Sequence, residues 1–306
     1  MNPQRISPRP RRSITGLLIP VVCFCVASAA LGCGRLNFGP RDASSPVDAA
    51  RDTSVDAGPQ VDVGCAPLAP VSPAAPADGL IEPGLRTDGL SLFARFSFRD
   101  LVATRGTVDD PFSDWAEDMT IRSIAEDPHF IDFEGSEIAA GARRMGEVPR
   151  HLTLCRPPFD AGDCDQLSIF DEDGVLMTDD LDGPALAIRD GELFMAFNRT
   201  STIYIARPRA SDLDEWDAAL VDMGPGVFGD PTLTNDGAIL ITDGPGDALY
   251  VAEWDAPSGT YVHAHPVIGV DGGSADIGVE VVGGFELFVT YDSRGLNEPH
   301  RTTCTF

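Results

Sequence analysis

Asp230-Pro231-Thr232-Leu233-Thr234-Asn235-Asp236-Gly237-Ala238-Ile239-Leu240-Ile241 decides the fold, because the chain writes this pattern five times. A short, partly apolar run follows an acid and a proline, Asp-Gly interrupts it, and a β-prone run resumes. Working outward, Asp182-Gly183-Pro184-Ala185-Leu186 leads through Asp190-Gly191 to Leu193-Phe194-Met195, and Asp127-Pro128-His129-Phe130 leads through Glu134-Gly135 to Ile138. Glu82-Pro83-Gly84-Leu85 leads through Asp88-Gly89 to Leu90-Ser91-Leu92-Phe93, and a worn fifth copy runs from Asp276-Ile277-Gly278-Val279 through Gly283-Gly284 to Phe285-Glu286-Leu287-Phe288. Pro83, Pro128, Pro184 and Pro231 lie 45, 56 and 47 residues apart. A period in this range belongs to solenoids and propellers.

The grammar inside each copy chooses between the two. Asp-Gly tolerates the positive φ angles of a type I′ turn, whose twist suits a two-residue hairpin. A third apolar run follows in every copy: Leu101 to Arg105, Leu152 to Arg156, Ile203 to Arg207, Leu249 to Glu253 and Arg301 to Phe306. A fourth, more polar segment lies around Phe112 to Trp115, Gln166 to Phe170, Glu215 to Val221 and Thr260 to Val267. Four strands per repeat with no long 3.6-period stretch predict an all-β, five-bladed β-propeller of four-stranded antiparallel blades. The chain stops at the end of the fifth blade's third strand, so the β-competent segment Val61 to Val71 is expected to supply the missing fourth one and close the ring.

The pattern Asp-Pro-x-Leu-x-x-Asp-Gly followed by Tyr-Val-Ala or Tyr-Ile-Ala resembles the TolB-type (WD40-like) propeller repeat. Asp230 to Ala252 and Pro184 to Arg207 are the nearest copies, and the resemblance covers roughly residues 80 to 306. It implies the propeller fold and little about activity, because function on a propeller lives in its loops. The α/β domain that precedes the propeller in TolB has no counterpart here.

The N-terminal residues carry an address. Arg5, Arg9, Arg11 and Arg12 form a basic start, and Ile14 to Leu31 is apolar but interrupted by Pro20 and Ser28. That reads as an export signal and not as a spanning helix. Ala30-Leu31-Gly32-Cys33 resembles a bacterial lipobox, with Cys33 as the lipidation site; a plain signal peptide cut near Ala29 or Ala30 is the alternative. Gly34 after the cysteine points to the outer membrane. Residues 1–32 are thus expected as a lipoprotein signal peptide, 33–64 as an acidic disordered tether and 65–306 as the propeller. The tether repeats Asp-Ala at Asp42, Asp48 and Asp56 without an aromatic residue between Gly39 and Gly64, a composition that cannot offset the entropy of ordering.

After Cys33 the chain keeps 18 basic residues, all Arg, against all 48 acidic ones, a formal charge of 18 − 48 = −30. Such charge repels phosphate backbones, which excludes nucleic-acid binding. Cys65, Cys155, Cys164 and Cys304 remain after export, an even number in an oxidising compartment. Cys155 ends a third strand and Cys164 begins the fourth of the same blade, and closing the ring sets Cys65 beside Cys304. The expected disulfides are therefore Cys155–Cys164 and Cys65–Cys304.

Catalytic motifs are sparse: the chain has no Gly-x-Ser-x-Gly elbow, no His-Glu-x-x-His and no phosphate loop. His263 and His265 alternate in an expected outer strand, facing one side. Glu82, Asp127, Asp182, Asp230 and Asp276 each precede or start an inner strand, and they are expected as a carboxylate ring at one mouth of the channel. Such a ring either accepts local backbone N–H groups or holds a divalent cation; no other cofactor is expected. The expected function is a monomeric, membrane-anchored envelope lipoprotein whose head binds an unknown protein or glycan without catalysis. The alternative is an envelope hydrolase, glycosidase-like, with paired carboxylates at the channel mouth.

Overall fold

The computed structural model describes residues 62–71, 81–96, 99–117, 126–143, 149–159, 163–209, 213–246, 248–271, 275–281, 283–292 and 297–306. The expected signal peptide, most of the tether and Cys33 lie outside the described residues. So does Val61, at the start of the expected closing segment.

Five antiparallel blades follow one another along the chain. Blade one is built from Ile81–Leu85, Ser91–Phe96, Arg99–Thr104 and Ala116–Glu117. Blade two takes Glu126–Phe133, Ser136–Arg143, His151–Cys155 and Cys164–Gln166. Blade three takes Leu181–Arg189, Glu192–Arg199, Thr202–Pro208 and Glu215–Leu220. Blade four takes Gly229–Leu233, Ile239–Gly244, Ala248–Asp255 and Thr260–Asp271. Blade five has three strands of its own, Ala275–Val281, Gly284–Asp292 and Asn297–Thr305.

The fourth strand of blade five comes from the other end of the chain. Gly64 and Cys65 pair antiparallel with Thr305 and Cys304, and Ala69 and Pro70 pair with Arg301 and His300. Gly64 also pairs parallel with Ile268 of blade four, so the closing strand joins two blades. Both disulfides form as expected, Cys65–Cys304 and Cys155–Cys164.

Three outer details differ from expectation. In blade one the outermost strand is Ala116–Glu117; Phe112 instead packs edge-on against Phe288 of blade five, 6.0 Å between ring centroids. In blade two the outer strand ends at Gln166, and Ser168–Phe170 crosses to pair parallel with Glu215 to Asp217 of blade three. The physical reason is burial: Ile169 is apolar, and it is buried in the core of blades two and three, opposite Trp216. In blade four a bulge sets Glu253 opposite Val262 and Val251 opposite His265. That bulge breaks the alternation, leaving His263 exposed at φ 60° and His265 half-buried.

The hairpin turns obey the expected chemistry in two blades. Glu134-Gly135 and Asp190-Gly191 have both residues at positive φ, as a type I′ turn requires. At Asp88-Gly89 and Asp236-Gly237 only the glycine is left-handed. There the loop is longer, with Gly89 N–H donating to Arg86 O and Gly237 N–H to Thr234 O.

Apolar strand faces pack between blades, and that packing is uneven. The cores between blades two and three, three and four, and four and five are broad. Blade one has smaller ones, around Phe93 and Phe130 on one side and around Leu92 and Phe288 on the other. Ion pairs supplement them on both sides. Arg105, its side chain fully buried, pairs through two bonds with Glu286 of blade five, and Arg86 pairs with Glu137 of blade two.

Candidate functional site at the channel mouth

Every inner strand carries a two-against-one bulge, and in four blades the proline step sits in it. The register skips Glu82-Pro83, Asp127-Pro128, Gly183-Pro184 and Asp230-Pro231. In blade five the bulge falls later, at Gly278-Val279. A bulge turns the strand and re-aims its side chains, and bulges gather beside active sites.

Blades two to four put the residue before proline in the left-handed region: Asp127 at φ 51°, Gly183 at φ 54° and Asp230 at φ 40°. For glycine this is free, but a residue with a Cβ is held there at a cost of about 1–3 kcal/mol. Asp127 and Asp230 thus hold equivalent strained positions on blades two and four, flanking the glycine of blade three. Gly183 has no room for a side chain, since a Cβ would stand 3.1 Å from the Asp230 Cα and 2.9 Å from the Asn198 side-chain oxygen.

Asp127, Asp230, Asp276 and His129 line the mouth together with Pro128, Pro184 and Pro231. The cavity among them has a volume of about 30 Å³. A larger ligand would lie across the mouth without entering the channel.

Beneath the mouth, hydrogen bonds join blades one, four and five through Asp276 and blades two and three through His129. Leu85 N–H of blade one donates to Asp276 Oδ2 of blade five at 3.0 Å, and Thr232 Oγ1 of blade four donates to Asp276 Oδ1 at 3.0 Å. Thr232 in turn accepts from Ile277 N–H at 3.0 Å. Leu186 N–H of blade three donates to His129 Nδ1 of blade two at 3.1 Å. Because Nδ1 accepts, the ring proton sits on Nε2, 3.7 Å from Asp276 Oδ1. Burial pushes the Asp276 carboxyl up to about 7 and the His129 ring down to about 4, each toward its neutral form.

Arg150 provides positive charge beside this group. It precedes the third strand of blade two, and its guanidinium pairs with Asp182 of blade three. Burial raises the Asp230 carboxyl above the usual range, and the Arg150 charge partly opposes that rise.

The members of the expected ring are placed differently from one another. Asp127, Asp230 and Asp276 meet at the mouth, whereas Asp182 turns to Arg150. Asp182 precedes the bulge step that Gly183 occupies, so it is not the counterpart of Asp127 and Asp230. The side chain of Glu82, at the equivalent step of blade one, lies outside the described residues. Among the described residues no three His, Cys, Asp or Glu side chains are placed to hold a metal ion. Sequence reading missed His129, Thr232 and Arg150. His129 and Thr232 were within reach, because each follows the proline of an inner strand, in line with the channel. Arg150 comes from the entry to the third strand of blade two, outside the inner-strand repeat, and left no local trace.

No family model and no curated protein matches the chain. The fold is similar to solved five-bladed propellers. An endo-arabinase from Bacteroides thetaiotaomicron VPI-5482 superposes with a TM-score of 0.52 at 17% identity, covering 78% of this chain and 96% of that one. A thermostable family-43 glycoside hydrolase gives 0.54 at 13% identity, covering 77% and 91%. A GH43 β-xylosidase/α-arabinofuranosidase from a compost microbial metagenome, in complex with xylotriose, gives 0.54 at 12% identity, covering 79% and 94%. This corrects the TolB-type resemblance, because the repeat that suggested it encodes blade geometry: proline at the inner-strand bulge and Asp-Gly in the hairpin. The expectation of a non-catalytic binding head is corrected as well, since the three solved propellers named here are an endo-arabinase, a family-43 glycoside hydrolase and a β-xylosidase/α-arabinofuranosidase.

Proposed function

We propose that the protein is a glycoside hydrolase acting on pentose-containing glycans, with Asp230 as general acid and Asp127 as general base. The observation that carries this reading is the pair of strained carboxylates, Asp127 and Asp230, on equivalent bulge steps across one mouth. Left-handed aspartates before proline persist only where the surrounding structure holds them, and such strain clusters at functional sites. Glycoside hydrolysis needs one carboxyl protonated and one ionised. Burial raises Asp230 and so favours its protonated form. The likeness in fold to arabinan- and xylan-type hydrolases supports the pentose class.

In this reading Asp230 gives its proton to the glycosidic oxygen as the C–O bond breaks. A water between the carboxylates attacks the anomeric carbon, and Asp127 takes its proton. This direct displacement inverts the anomeric centre. The export signal, Cys33 lipid anchor and 33–64 tether belong to the same proposal and place the head at the cell envelope. Incubating the protein with arabino- and xylo-oligosaccharides while following anomeric protons by NMR tests the function. Cleavage with inversion is expected; no cleavage of either series, or a product of retained configuration, would overturn it.

A further inference from the structure

We propose a second binding site away from the mouth: a bay of about 380 Å³ between the closing strand, blade five and blade one takes an acidic sugar unit, and Arg301 recognises its carboxylate. The choice of a sugar rests on the glycoside-hydrolase reading, whereas the bay and its charge rest on geometry of their own.

Ring closure creates the bay. The closing strand pairs with blade five at Gly64 and Cys65 and again at Ala69 and Pro70, and between these steps it leaves the sheet. Ala66 stays tied to blade five, its N–H donating to Thr303 O at 3.0 Å and its carbonyl accepting from Thr302 Oγ1 at 2.6 Å. Ala66 and Pro67 line the bay from the closing strand, Val108 and Asp109 from the loop after the third strand of blade one, and Glu286 and Arg301 from blade five. Glu286 stands near the start of its strand, and its partner Arg105 also donates to Gly89 O of a hairpin turn. The bay thus lies at the hairpin end of the blades, whereas the mouth lies where the inner strands begin. It shares no lining residue with the mouth. Its volume falls in the range of about 300–1,000 Å³ that small-molecule sites occupy.

Two guanidiniums meet one carboxylate here. Arg105, fully buried and 4.6 Å from the Phe112 ring centroid, takes both oxygens of Glu286 at 3.2 and 2.8 Å. Arg301, one-third exposed, comes only to 3.5 Å from Glu286 Oε1, beyond the usual N–H···O range of about 2.7–3.2 Å. Glu286 is already satisfied by the buried cation, so the Arg301 charge has no close partner among the described residues. The planar fork of a guanidinium suits bidentate contact with a carboxylate. Asp109 is exposed and accepts from hydroxyl groups, while Ala66, Pro67 and Val108 offer carbon surface to the C–H face of a sugar ring. A bare anion would use Arg301 and meet Asp109 as a like charge. A sugar acid uses all three kinds of group.

Calorimetric titration of the full-length protein with glucuronate, its methyl glycoside and glucose tests this without any hydrolysis. The methyl glycoside stands for the unit linked in a chain. Wild type should bind both uronates at least about tenfold tighter than glucose, and added salt should narrow that gap. Arg301→Gln removes the fork, and Val108→Glu places a negative charge in the bay at a side chain that is 41% exposed and carries no core packing. Each should bring uronate binding down to the level of glucose. A wild type without the preference, or a preference kept by either variant, would overturn the site. So would binding of free glucuronate but not its glycoside, or tighter binding of a zwitterion such as alanine. Uronate binding by a protein that cleaves neither pentose series would sustain the bay as a site and sink only the hydrolase reading; cleavage without uronate preference would do the reverse.

Discussion

Asp276 and His129 titrate in opposite senses, and their opposition can be measured. Burial lifts Asp276 from 3.8 to about 7, so between these pH values the folded chain keeps a proton that the unfolded chain has released. Its contribution to stability is full below about pH 4 and is lost as pH rises through 7. His129 is lowered by burial from 6.5 to about 4, so the unfolded chain takes a proton that the folded ring refuses. That contribution is full above 6.5 and is lost as pH falls toward 4. Over pH 4 to 6.5 the two slopes oppose each other in the wild type. Asp276→Asn should therefore gain stability more steeply with rising pH than wild type, and His129→Gln should lose stability from pH 4 to 7. Urea unfolding across this range checks both; parallel curves for all three proteins would contradict the assignment. Which acids gather at the mouth was partly legible in the residues themselves. Asp127 and Asp230 stand directly before proline, whereas Asp182 stands one residue earlier, with Gly183 in the equivalent place. Arg150 was not legible, because its pairing with Asp182 bridges two blades across a sequence gap that no periodicity spans.

At the scale of elements, the repeat period and the turn residues determined the blades, and burial decided where outer strands end. Inner and middle strands are read directly from apolar runs bounded by Asp-Gly and Pro. Outer strands have one solvated side, so their weak pattern let Phe112 and Ile169 pass as blade edges when both are core residues. Ring closure was legible because a three-stranded last blade leaves an unpaired edge, which propellers avoid. The closing disulfide spans 239 residues and the blade-two disulfide spans 9. Chain-entropy arguments give about 5 kcal/mol for the first and about 3 kcal/mol for the second. Cys65→Ser/Cys304→Ser should thus lower unfolding stability by more than Cys155→Ser/Cys164→Ser under the same denaturant. A larger loss from the blade-two pair would show that closure is carried by the strand pairing and not by the bond.

For the molecule as a whole, two buried polar groups near the channel fasten the blades at the centre, as the closing strand and its disulfide do at the edge. Asp276 accepts from blades one and four, and His129 accepts from blade three while facing Asp276. Blade one, with the smaller cores on both flanks, also relies on Arg105–Glu286 and Arg86–Glu137. This arrangement gives a rigid frame for the carboxylates of blades two and four, as acid–base catalysis demands. The most direct test is kcat/KM of the full-length protein on arabino- and xylo-oligosaccharides, compared with Asp127→Asn and Asp230→Asn. The account predicts hydrolysis by the wild type and a loss of about 10²–10⁴-fold in each variant, with the fold retained by circular dichroism. Wild-type hydrolysis that either variant retains within a few-fold would contradict it.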